Sequence, residues 1–156
     1  MDASLEPDLD AIAEVQKRTA SLEHQFNILV RTPSYLKIAS EAEKWTQKGQ
    51  DVLDAGHAAG GREIMQTAYR LHLAALCNAN RTAVGAHIIK ARTFAERAGE
   101  LRPKRVKDII GHAQSYFMAA RKARSLKVKL ELYDLALFEA QEAIDELSYS
   151  VSDPLH

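Results

Sequence analysis

Apolar side chains recur along this chain at three-, four- and seven-residue intervals almost from end to end, the spacing that gathers them on one face of an α-helix. Ile12, Val15, Leu22, Phe26 and Leu29 define a first helix, with Asp8 or Asp10 as its cap and Arg31-Thr32-Pro33 as its stop. Ser34 is then placed to cap a second, carrying Leu36, Ile38, Ala39, Ala42, Trp45, Val52 and Leu53. It runs into residues 55–61, the only glycine-rich stretch, where a loop or hinge is expected. Ile64, Ala68, Leu71, His72, Ala75, Leu76 and Ala79 form a third pattern. Val84, His87, Ile88, Ala91, Ala95, Ala98 and Leu101 form a fourth, in a register that shifts near residues 78–82. Read unbroken, residues 62–99 would make one helix of about 57 Å at 1.5 Å per residue, so a break or kink is expected at the shift.

Pro103 suits the first turn of a fifth helix with a core stripe of Val106, Ile109, Ile110, Ala113, Phe117 and Ala120. A sixth buries Tyr133, Ala136, Leu137, Ala140, Ala143, Ile144 and Leu147. Residues 126–132 alternate with period two, as a half-buried strand does, yet no turn separates them from the sixth helix and no second strand exists to pair with them. They are assigned to helix. The expected architecture is therefore all-α, an antiparallel helical bundle or short helical-hairpin array of five or six helices. One domain is expected over residues 1–156, with short frayed ends at about 1–7 and 150–156. Ala91, Ala95 and Ala98 match Ala136, Ala140 and Ala143 at an offset of 45 residues. Ala91, Ala98 and Pro103 faintly resemble the closing helix of a tetratricopeptide unit, but that period and the missing Trp-Leu-Gly-Tyr pattern depart from it.

At 156 residues and 46% apolar content the chain has the means to bury a core, and its apolar runs are too short for a membrane span. Its N-terminus lacks the basic start and apolar stretch of a secretory signal, and a lone Cys77 allows no internal disulfide. A cytoplasmic protein with Cys77 buried is expected. No phosphate-binding loop, dinucleotide fingerprint, His-Glu-x-x-His or paired-cysteine motif is present, and no Glu-x-x-His accompanies His72 and His87, which could converge from adjacent helices. Asp54 and His57, or Asp108 and His112, sit at helical spacing without a Ser or Cys nucleophile beside them. The chain is expected to act without catalysis, cofactor or metal.

Charge is what singles the chain out. Lys+Arg and Asp+Glu balance at 21 each, but residues 90–129 hold twelve basic residues against three acids, and residues 130–146 hold six acids and no base. Such sorting points to a partner. Leu135 and Phe138 lie off the main stripe of the last helix, on its acid-lined side, as apolar anchors for a protein partner or a second copy of the chain. Glu142, Lys104 and Arg121 would set register. The alternative is a nucleic-acid surface built from Arg102, Lys104, Arg105, Lys107, Arg121, Lys122 and Arg124. Against that stand the zero net charge and the absence of evident exposed aromatics for stacking.

Overall fold

The computed structural model of the protein describes residues 5–152, and among them are five α-helices and no strand. The helices are α1 (Leu5–Phe26), α2 (Pro33–Asp54), α3 (Ala58–Ala98), α4 (Lys104–Lys122) and α5 (Leu126–Ser152). The all-α expectation holds, including helix rather than strand over 126–132. Of the frayed ends, residues 1–4 and 153–156 lie outside the described residues, while 5–7 and 150–152 are helical.

Local chemistry accounts for the helix ends, in places differently from the expectation. Because α1 begins at Leu5, Asp8 and Asp10 lie inside the helix and not at its start. Asn27 adopts a left-handed φ of 53° and ends α1, so the following short 3-10 turn buries Val30 and leaves Leu29 exposed. Thr32, not Ser34, caps α2: its hydroxyl accepts from the Tyr35 amide at 3.2 Å, and Pro33 fills the first helical position, where no amide is required. At the far end Gly56, with φ 88°, closes a paired motif in which its amide donates to the Leu53 carbonyl and the His57 amide to that of Val52. The loop expected over 55–61 is therefore only 55–57, and Gly60 and Gly61 lie in the first turn of α3.

The break expected near 78–82 does not occur. Helix α3 is continuous for 41 residues, about 60 Å at the standard rise. Asn78, within it, donates to the Ser34 hydroxyl at 3.1 Å. The shift in register reflects burial on several faces, since Ala75, Leu76, Cys77, Ala79, Asn80, Ala83 and Val84 are all buried.

Packing divides the chain into two compact units, residues 1–79 and 80–156. The first holds α1, α2 and the N-terminal part of α3, with Ile12, Met65 and Ala68 at the centre of a cluster that Trp45, Leu53 and Tyr69 flank. Here α2 and α3 approach closely: a Cβ on Gly49 would lie 2.8 Å from Met65 Sδ, and one on Gly61 2.6 Å from Leu53 Cγ. The second unit holds the rest of α3 with α4 and α5. Ala91, Ala95 and Ala98 pack with Val106, Ile110, Ala143, Ile144 and Leu147, and Val84 and Ile88 with Ala113, Ala120, Tyr133, Ala136 and Ala140. The matched alanines are thus facing small-residue stripes of α3 and α5, which explains their shared spacing. Phe117 and Tyr133 tilt against each other at 5.9 Å between ring centres.

Candidate functional site

Helix α5 buries one face against α3 and α4 and leaves an ordered opposite face. Val128, Glu131, Leu135, Phe138, Glu142 and Asp145 follow one another at alternating three- and four-residue steps, the spacing of a helix-docking seam, and all six are exposed. Phe138 is 65% exposed, Leu135 45% and Val128 44%, so among the described residues none covers either predicted anchor fully. Val128 joins them, a residue that the period-two alternation around it obscured. Glu131, Glu142 and Asp145 occupy the remaining positions, and Asp134 lies beside them.

The basic residues, by contrast, are dispersed. Arg105 forms an ion pair with Glu146 of α5. Lys129 turns back to donate to the carbonyls of Ala120 and Arg121, both at 3.1 Å, and so caps the C-terminus of α4 where its charge also complements the helix dipole. Arg121 lies 5.9 Å from the centre of the Phe117 ring. Lys104 and Lys122 are exposed at opposite ends of α4, roughly 27 Å apart by helical rise, and Arg124 is exposed in the turn that follows. Arg102 and Lys107 join Arg92 around a cleft of about 340 Å³ lined also by Ala95, Glu96, Ile110, Gly111 and Gln114. None of these three cationic side chains has an ion-pair or hydrogen-bond partner among the described residues.

His72 and His87 do not converge, because they lie on one helix and each is engaged within its own unit. Nε2 of His87 contacts Oε1 of Gln141 at 2.6 Å, and Gln141 in turn donates to Asp145 at 2.8 Å. Burial lowers the proton affinity of His87, with the Gln141 hydrogen bond opposing. His72 meets the Thr46 hydroxyl at 2.9 Å, and burial lowers its proton affinity too, with Glu43 opposing. It lines a second cleft, of about 240 Å³, bounded by Gln16, Thr19, Ala20 and Glu23 of α1, Tyr35, Ala39 and Glu43 of α2, and Ala75 of α3. Tyr35 donates its phenol proton to Glu23, which also pairs with Arg31 at 3.0 Å. Burial, reinforced by that hydrogen bond, raises the Tyr35 proton affinity. Sequence reading missed this cleft, since its polar residues come from three helices and share no local spacing. No group of three or more His, Cys, Asp or Glu side chains is arranged to hold a metal ion among the described residues. No helix among them is long and apolar enough to cross a membrane.

No protein-family model, curated protein or solved structure matches the chain.

Proposed function

We propose that this protein is a non-catalytic interaction module that docks a basic amphipathic helix of a protein partner along the outer seam of α5. The exposed run of Val128, Leu135 and Phe138, interleaved with Glu131, Glu142 and Asp145, is the observation that carries this reading. Charge selects the occupant. A symmetric pairing of two α5 seams would set acid against acid, because residues 130–146 contain no Lys or Arg to relieve it. A helix with Leu anchors flanked by Lys or Arg meets both the apolar positions and the carboxylates.

The test is titration of a synthetic Leu/Lys amphipathic helix into the protein, followed by fluorescence anisotropy. Phe138→Ala should weaken binding about thirtyfold, the roughly 2 kcal/mol of a truncated anchor. Glu142→Gln should weaken it less, since exposed charge pairs contribute about 0–1 kcal/mol. Equal binding of an acidic counterpart peptide would overturn the reading. So would a chain that self-associates at tens of micromolar and is dissociated by Phe138→Ala, which would make a second copy the occupant.

A nucleic-acid surface is the second reading, supported by Arg92, Arg102 and Lys107 around one cleft, none of them paired among the described residues. It requires binding of DNA or RNA at about 50 mM salt that falls log-linearly as salt rises.

A further inference from the structure

The cleft beside His72 opens to the surface of the first unit between α1, α2 and α3. Ala20, Ala39 and Ala75 supply the small surfaces there, and the remaining lining is polar. Its hydrogen-bond arithmetic is one-sided. Thr19 spends its only hydroxyl proton on the Val15 carbonyl at 2.8 Å, so its oxygen offers the cleft lone pairs alone. Tyr35 likewise spends its proton on Glu23.

Thr46 donates to the Ala42 carbonyl at 2.8 Å and has no second proton to give. In its 2.9 Å contact with His72, Nε2 of the ring must therefore be the donor. That assigns the tautomer and leaves Nδ1 a bare acceptor. His72 is 6% exposed, and its ring makes no other hydrogen bond among the described residues. Among the described residues Glu43 receives one hydrogen bond, from Gln16 Nε2 at 3.2 Å, and has no Lys or Arg partner. No Lys or Arg lines the cleft.

The lining thus presents a carboxylate without a counter-ion, a neutral imidazole acceptor and two hydroxyl oxygens whose protons are committed elsewhere. Only Gln16 keeps a donor to spare. A lining that offers acceptors and negative charge is matched by a compact cation with several N–H donors. We propose that this cleft binds a small organic cation, a primary alkylammonium or a guanidinium, with Glu43 as counter-ion and His72 Nδ1 as hydrogen-bond acceptor. The same head group is carried by a free amine and by the side chain of a peptide lysine or arginine, and we take the free molecule as the occupant.

The experiment uses the full chain, with n-butylammonium, n-butylguanidinium and a blocked lysine tripeptide as probes and n-butanol as the uncharged control. Titration calorimetry is combined with ¹⁵N spectra of the histidine rings. One of the two cations should bind and shift the His72 Nδ1 resonance, with Nε2 much less affected, while butanol does neither. Tight binding by the tripeptide alone would assign the site to a peptide side chain and overturn the free-ligand proposal. Glu43→Gln keeps the exposed side chain's shape and removes its charge, and should weaken binding by about three- to fivefold, the upper end for an exposed charge pair. A His72 ring protonated on Nδ1 in the free protein, silence to both cations at millimolar concentration, or Glu43→Gln binding as the unaltered protein does, would each overturn the proposal.

Discussion

Gly60 and Gly61 are neighbours in the first turn of α3, and replacing each with alanine should move stability in opposite directions. Both substitutions gain the same helix propensity, up to about 1 kcal/mol over glycine. At Gly60 the new Cβ would lie 3.7 Å from Val52 Cγ1, an ordinary contact, so the gain is kept. At Gly61 it would lie 2.6 Å from Leu53 Cγ and 3.3 Å from the Leu53 amide nitrogen, so a half-buried side chain and a helix backbone must both give way. Overpacking of that kind costs about 1–3 kcal/mol. Propensity and unfolded-chain entropy cancel in the difference between the two variants, which leaves the overpacking as the measured gap. Urea denaturation followed by the fluorescence of Trp45, the only tryptophan and a neighbour of the Ile12 and Met65 cluster, reads this unit directly. With a slope of about 1–3 kcal/mol per molar urea, the midpoints should separate by roughly 0.5–1 M, Gly60→Ala above the unaltered protein and Gly61→Ala below it. Midpoints that coincide would refute the close approach of α2 and α3, and with it the geometry that brings Thr46 to His72.

The two buried histidines make stability pH-dependent with a definite sign. Burial holds their proton affinity in the folded state below that of the unfolded chain, so the unfolded state takes up the extra protons and stability falls as pH drops below about 6.5, by up to about 1.4 kcal/mol per pH unit for each. Urea midpoints at pH 7, 6 and 5 check this, and His87→Gln should flatten the slope. Lys129→Met, which removes the cap on α4, should cost about 1–2 kcal/mol in the second unit without altering the salt dependence of any nucleic-acid binding. Arg102→Ala and Lys107→Ala should each reduce that dependence by about 0.7–0.9 in log–log slope, and an equal effect from Lys129→Met would show that the cap is not held.

The stripes of α4 and α5 were legible in the sequence because each helix buries one face, so Val106, Ile110, Ala113 and Ala120 repeat cleanly, as do Tyr133, Ala136, Ala140 and Ala143. Residues 75–84 misled for the converse reason. Where several faces of a helix are buried, the period blurs, and a blurred period looks like a break. The exposed pair Leu135 and Phe138 was visible as an anomaly against the main stripe, but nothing in the sequence alone decided whether another helix covered it. The disposition of the basic residues was hidden, since the long-range contacts of Arg105 with Glu146 and of Lys129 with the end of α4 depend on how the chain folds back. The cleft beside His72 was hidden more deeply, for its lining is drawn from three helices and shares no local spacing.

Helix α3 passes through the division at Ala79 and Asn80 without a loop, and this sets how the protein tolerates being cut. Each residue there has its amide bonded four residues back, so cleavage at that point would strand four carbonyls on one fragment and four amides on the other. The connections around residues 55–57 and 123–125, rather than the midpoint of the chain, are where proteases should first enter and where an inserted tag or domain should be borne.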